Sequence, residues 1–152
     1  MGNSYKFNGI IDKSVHYIEE FQLLRVDLWK RFVQQFKEED ADYEAGWRGE
    51  YWGKMMRGSC MIVEYTGDDN MYLTLENAVR DMLTTQQESG RFSTFPVENE
   101  FTGWDIWGRK YVLLGMQYFL DICRDDELSE QIIAAMCRHA DYIIERIGPQ
   151  EE

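Results

Sequence analysis

Two short stretches of this chain carry an acid, a tryptophan, a glycine and a base at the same spacing. The first is Glu50-Tyr51-Trp52-Gly53-Lys54, and the second is Asp105-Ile106-Trp107-Gly108-Arg109. Indole rings offer flat apolar faces on which sugar rings stack, while charged groups hydrogen-bond sugar hydroxyls. A pair of carboxylates could also act as general acid and base, as glycosidases require. The pattern is compatible with a carbohydrate site, with these candidates for its substrate side: Glu50, Trp52, Trp104, Asp105, Trp107 and Arg109.

The two stretches also have a purely structural interpretation. Acids in the first turn of a helix are stabilised by the helix dipole, and a tryptophan at a helix end often serves packing alone. Glu50 with Lys54, and Asp105 with Arg109, are spaced i to i+4, so each acid could simply pair with its own base. Both interpretations stay open from the residues alone, and no nucleophile is assigned.

Apolar periodicity predicts that each stretch opens a helix that is apolar on most sides and contains internal glycines. Each of these helices leads through an acidic turn into an amphipathic helix, and a further helical segment with a break near 21–26 precedes them. The predicted helices are 12–36, 48–65, 70–86, 104–123 and, from residue 126 or 129, a last one to 147. The connection 91–101 is long for a compact helical protein, which is typical of a functional loop.

The predicted fold class is all-α, built from helical hairpins of the α/α-toroid type. Each hairpin alternates an inner helix with an outer one and buries its apolar face only against its neighbours. In such a ring both tryptophan stretches line one mouth. We expect a single domain over 1–152, with an irregular lead-in over 1–10.

Composition excludes several classes of partner. The formal net charge of −12 argues against nucleic acid and anionic membranes, whose phosphates would be repelled. The chain has no apolar run long enough to span a membrane and no apolar signal-peptide core at its N-terminus. We expect a cytoplasmic protein, or a periplasmic one if a signal peptide has been removed.

The cysteine and histidine pattern does not predict a metal site. Cys60, Cys123 and Cys137 lack the C-x-x-C spacing of zinc sites and redox pairs, so we expect reduced core residues. His16 and His139 belong to no H-E-x-x-H pattern, and each is expected at the surface or in packing. No cofactor is predicted for this chain.

Four motifs along the chain resemble those of a known enzyme family. They occupy 46–54, 65–68, 85–91 and 103–111. In this order they resemble the N-terminal half of the bacterial β-L-arabinofuranosidase-type glycoside hydrolases, a family long labelled only as a domain of unknown function. The resemblance runs from 26 to 148 and implies an (α/α)6 barrel as the catalytic module. It also implies a carbohydrate substrate from plant-derived, arabinose-containing glycans.

The resemblance further implies parts that this chain lacks. In the family a cysteine nucleophile, held with other cysteines and a glutamate around zinc, lies beyond this region, as does the acid/base glutamate. We therefore expect an incomplete (α/α)6 barrel, the N-terminal portion of a glycoside hydrolase, which contributes sugar-binding residues and is inactive alone. The alternative is a non-catalytic helical interaction or oligomerisation module. An incomplete ring leaves an apolar flank that a second copy, or the remainder of the parent enzyme, must cover.

Overall fold

The computed structural model describes residues 6–41 and 46–147, without the side chains of Gly46 and Trp47. Its α-helices, in chain order, are α1 (Ile10–Ile18), α2 (Val26–Glu38), α3 (Tyr51–Thr66), α4 (Asp69–Leu83), α5 (Asp105–Ile122) and α6 (Asp126–Ile147). A π-helical turn (Glu19–Leu23) follows α1, and 3-10 turns lie at Gly46–Glu50 and Val97–Asn99. No β-strand occurs in the described ranges, and the prediction of an all-α fold of helical hairpins is confirmed.

The break predicted near 21–26 is confirmed, because the π-helical turn ends at Leu23 and α2 begins at Val26. The indole Nε1 of Trp29 donates a hydrogen bond of 2.8 Å to the Leu23 carbonyl, which fixes the bend against the core. The predicted lead-in agrees with the structure over 6–9. The predicted helix stop at Gly148-Pro149, residues 1–5 of the lead-in and residues 42–45 of the predicted acidic loop lie outside the described residues.

Helices α3 and α5 lie side by side with their backbones in close contact. A Cβ placed on Gly53 would come within 1.8 Å of the Tyr111 carbonyl oxygen, and one on Gly115 within 2.9 Å of the Gly53 Cα. Nearer the N-termini, a Cβ on Gly108 would lie 3.6 Å from the Gly49 Cα. Residues early in one segment meet residues early in the other, so α3 and α5 run in the same direction. Their N-terminal ends therefore share one side of the molecule.

Two capped turns connect these helices to the amphipathic ones. Gly67 ends α3 in the left-handed conformation, with φ of +71°, and the side chain of Asp68 accepts a 2.9 Å hydrogen bond from the backbone N–H of Met71 at the start of α4. Asp125 accepts in the same way from the backbone N–H of Leu128 in α6, at 3.1 Å. The stop and cap predicted at 66–69 are confirmed.

The amphipathic helices cover the outer sides of α3 and α5. Helix α4 packs on α2 and α3, and α6 packs on α5. The core between the helices includes these buried residues: Trp29, Trp52, Met56, Leu75, Val112, Met116, Phe119 and Ile132. No helix in the described ranges is both long and apolar enough to cross a membrane.

Helix α6 carries two apolar stripes, and only one of them packs in the core. The buried stripe is Leu128, Ile132, Ala135, His139 and Tyr142. Apolar periodicity predicts one stripe on this helix, in which Leu128 and Ile132 are buried. The same predicted stripe also includes three residues that are exposed: Ile133, Ile144 and Ile147. The prediction was wrong for the three exposed residues, because apolar residues on α6 extend beyond the face that contacts α5. Periodicity does not show which part of that apolar surface is covered.

Replacing Gly53 with alanine is expected to lower the free energy of unfolding by about 3 kcal/mol or more, because the new Cβ overlaps the Tyr111 carbonyl. Gly58 of the same helix is the matched control, since a Cβ there meets nothing within 4 Å. Gly58→Ala is expected to stabilise the chain by about 1 kcal/mol through helix propensity. Urea unfolding followed by circular dichroism measures both, and similar effects from the two substitutions would contradict the close packing.

Candidate functional site

Glu50 links the two tryptophan stretches where the N-terminal ends of α3 and α5 meet. Its carboxylate accepts a hydrogen bond from the indole Nε1 of Trp107, and its Oε1 lies 2.6 Å from the Lys54 ammonium. The hydrogen bond from Lys54 to Glu50 raises the pKa of that lysine. The two stretches, far apart in sequence, therefore form one constellation at this end of the helices.

Three aromatic side chains form an open surface beside Glu50, which we call the aromatic surface: Trp104, Trp107 and Tyr111. Trp104 is 46% exposed and Trp107 is 39% exposed. Their rings meet edge to face at 6.2 Å, and Trp107 meets Tyr111 in the same way at 5.3 Å. Exposed indoles in an otherwise charged chain offer apolar faces to a ligand. The structure thus brings three of the predicted site residues together: Glu50, Trp104 and Trp107.

Lysines border the aromatic surface. The Lys110 ammonium lies 3.6 Å from the centroid of Trp107 and 4.1 Å from that of Tyr111, and Lys54 lies 4.9 Å from Tyr111. These are cation–π distances. Lys110 and Tyr111 were not among the residues that the sequence singled out, although both directly follow Arg109 in the resembling motif 103–111.

Trp52 lies in the core and not at the aromatic surface. Its side chain is fully buried against Gly115 of α5, and its Nε1 has no hydrogen-bond partner among the described residues. Trp52 and Trp107 hold equivalent positions in their motifs, yet Trp52 packs in the core and Trp107 lies at the surface. We therefore exclude Trp52 from the candidate site.

Asp105 and Arg109 are also buried, and they bind each other and neighbouring groups of the chain, whereas Arg109 Nη1 has no hydrogen-bond partner among the described residues. Arg109 Nε lies 2.8 Å from Asp105 Oδ2, which is the i to i+4 pairing that the spacing predicted, as is the contact of Lys54 with Glu50. Asp105 also accepts hydrogen bonds from the Ser93 hydroxyl, at 2.6 Å, and from the backbone N–H of Phe101, at 2.7 Å. The carboxylates of both motif acids thus accept hydrogen bonds from donors of this chain. Carboxylates held in this way are better suited to positioning and binding than to proton transfer.

Glu100 is the centre of a buried charge cluster that sequence reasoning missed. Its Oε2 lies 2.9 Å from both Arg91 Nε and Arg109 Nη2, and it accepts from the Tyr142 hydroxyl at 2.7 Å. Burial alone would raise the pKa of Glu100, but hydrogen bonds from Tyr142, Arg91 and Arg109 outweigh it and hold the pKa below its ordinary value. We call Arg91, Glu100, Asp105, Arg109 and Tyr142 the Glu100 cluster. It ties the long connection 91–101 to α5 and α6, directly behind Trp104.

His139 is a buried packing residue, as one of the two interpretations from sequence expected. Its Nδ1 lies 3.2 Å from the backbone nitrogen of Phe92 and 3.1 Å from the Gly90 carbonyl. Burial, with the nearby charge of Arg109 as the next cause, lowers its pKa from 6.5 to about 4. His16 is exposed on α1.

The cysteines do not fit the zinc site that the family resemblance implies. Cys60 is buried, Cys123 is half-buried and Cys137 is exposed, so the expectation of core residues is wrong for Cys137, which lies on an uncovered face of α6. Burial raises the pKa of the Cys60 thiol to about 12, which disfavours the thiolate form that a zinc ligand or a nucleophile requires. In the described ranges no three or more His, Cys, Asp or Glu side chains are grouped to hold a metal ion.

The described chain is an all-α protein of helical hairpins with Trp104 and Trp107 exposed at one end of α5. The family described as Beta-L-arabinofuranosidase, GH127 catalytic domain, matches residues 10–152. The chain belongs to this family, which confirms the resemblance carried by the four motifs. No curated protein and no solved structure matches the chain significantly.

Glu100→Gln is expected to lower the free energy of unfolding by about 2 kcal/mol. Removing a carboxylate that faces two buried guanidinium groups leaves them undercompensated, and Asp105 and Glu39 limit the loss. The exposed Glu98 of the same connection is the matched control, and its substitution by glutamine is expected to change stability by less than about 0.5 kcal/mol. Differential scanning calorimetry at pH 7 measures both variants. Equal shifts of their melting temperatures would contradict a stabilising role for the Glu100 cluster.

Stability is expected to fall by about 2 kcal/mol between pH 7 and pH 5 through His139 alone. Between pH 6.5 and about 4 the unfolded chain holds a proton on this ring that the folded chain does not, so acidification favours unfolding. His139→Gln should remove this part of the pH dependence, whereas His16→Gln, at an exposed position, should leave it unchanged. Urea unfolding at the two pH values gives the comparison. If the free energy of unfolding of the His139 variant depended on pH as in the unchanged chain, the ring of His139 would titrate normally.

Proposed function

We propose that the N-terminal ends of α3 and α5 form part of the sugar-binding site of a glycoside hydrolase that acts on arabinose-containing glycans. The observation that carries this proposal is the exposed aromatic surface held beside Glu50 by the Trp107 hydrogen bond. Membership of the β-L-arabinofuranosidase family supports the class of substrate. In the ring that the family resemblance implies, this end of the hairpins would face the central cavity.

The residues of the site divide into those that face the ligand and those that hold them. Trp104 and Trp107 offer apolar ring faces to the C–H groups of a sugar, while Glu50 and Lys54 take or give hydrogen bonds to its hydroxyls. Asp105 and Arg109 lie behind them and fix the first turn of α5 against the connection 91–101. The site as proposed therefore keeps three predicted residues in contact with sugar and assigns two to positioning.

We assign no catalytic residue within the described part of the chain. The carboxylates of Glu50 and Asp105 are bound by neighbouring donors, and the three cysteines neither cluster nor lie at the aromatic surface. The nucleophile and the zinc that the resemblance implies would have to come from other residues of a parent enzyme. We expect the chain alone to bind sugar and not to hydrolyse it.

Trp107→Ala is expected to weaken binding of an arabinan oligosaccharide at least about tenfold, because it removes a stacking face and the hydrogen bond that orients Glu50. Tyr17→Ala is the control, since Tyr17 is an exposed aromatic on α1 whose ring contacts Phe21 and is not part of the aromatic surface. Isothermal titration calorimetry measures both variants against the unchanged chain. Equal affinities for the two variants would contradict the proposal.

A second function, an interaction or oligomerisation module, is favoured by the uncovered apolar flank between α5 and α6. A groove of about 340 Å³ there is lined mainly by apolar side chains: Ile106, Leu113, Leu114, Met136, Ile143 and Ile147. At the other end of the chain α1 has no buried residue. Light scattering separates the two functions, because a tight oligomer that is indifferent to sugar supports the module and contradicts the sugar site.

A further inference from the structure

Lys110 differs from Lys54, Arg91 and Arg109 because its ammonium contacts aromatic rings and forms no ion pair with a carboxylate of the described residues. Lys54 pairs with Glu50, and Arg91 and Arg109 each pair with two carboxylates. Lys110 is exposed and lies over Trp107 and Tyr111. The chain has 28 acidic and 16 basic residues, so a lysine without an acidic neighbour here is not explained by a shortage of acids.

The contact with the rings holds the ammonium at the aromatic surface without satisfying its charge fully. A charge-assisted hydrogen bond to a carboxylate is stronger than a cation–π contact at an exposed site. A ligand carboxylate next to Trp107 could therefore accept a hydrogen bond from the Lys110 ammonium without a large movement of the lysine. A neutral sugar offers only hydroxyls, which Glu50 and Lys54 already serve.

We infer that the sugar at the aromatic surface carries a carboxylate and that Lys110 binds it, so the ligand is an acidic glycan containing a uronic acid or a similar carboxylated residue. This inference rests on the proposed function, since it names the class of sugar for the same site. The remainder of the chain would repel such a ligand, because its formal net charge is −12. Lys110 therefore determines the preference for an acidic ligand over a neutral one.

The test compares two disaccharides that differ in one carboxylate, arabinosyl-galactose and arabinosyl-galacturonic acid. Calorimetric titration at 50 mM NaCl is expected to show the acidic disaccharide binding about five- to tenfold more tightly. In Lys110→Gln this preference should disappear or reverse, because the net negative charge then acts alone. Lys110→Arg should keep it, and so should Lys13→Gln, which removes an exposed lysine of α1.

The outcomes separate the inference from the function on which it rests. Equal binding of both disaccharides, unchanged in Lys110→Gln, overturns the inference and leaves the sugar site standing. Binding of neither disaccharide overturns the proposed function and the inference together. A preference for the acidic disaccharide that survives in Lys110→Gln also overturns the inference, since another residue would then hold the carboxylate. Unchanged thermal melting of the Lys110 variants shows that the effect is local.

Discussion

The contact between Gly53 and Gly115 brings the backbones of α3 and α5 together, and the arrangement of the site depends on it. No larger residue fits at Gly53, because a Cβ would overlap the Tyr111 carbonyl. With the two helices parallel and in contact, Glu50 at the start of α3 reaches Trp107 in the first turn of α5. A separation larger by one side chain would break that hydrogen bond and leave two unconnected helix ends.

The Glu100 cluster supports the same end from behind. Buried charges are expensive unless each is paired, and a buried ion pair does not by itself make a protein stable. The geometry of the Glu100 cluster suggests that it selects one arrangement of three segments. Arg109 of α5, Tyr142 of α6 and Arg91 of the long connection all contact the carboxylate of Glu100. The connection is thereby held against the helix that carries Trp107, with Trp104 at the junction.

Local signals in the sequence were sufficient for the helices and their caps. Gly67 and Asp68 mark the end of α3 and the start of α4, and the i to i+4 spacing gave the pairs Glu50–Lys54 and Asp105–Arg109. The sequence could not predict in the same way which residues of those helices are buried. Trp52 and Trp107 have equivalent local sequences, yet Trp52 is the buried one and packs against Gly115 of α5.

Long-range partners were beyond sequence reasoning for a related reason. Glu100 lies in an irregular connection, and nothing nearby in sequence indicates that Arg91, Arg109 and Tyr142 converge on it. The exposed stripe of α6 was likewise indistinguishable from a core stripe, because an apolar face reads the same whether or not a neighbour covers it. Such a face becomes interpretable only when the packing of α6 on α5 is known.

The parallel contact of α3 and α5 is tested most directly by nuclear Overhauser contacts between glycine Hα protons. The structure predicts contacts from Gly53 to Gly115 and from Gly49 to Gly108. A contact from Gly49 to Gly115 in their place would show that the helices run in opposite directions. The absence of all three, in spectra that show other contacts between helices, would equally contradict the packing on which the site depends.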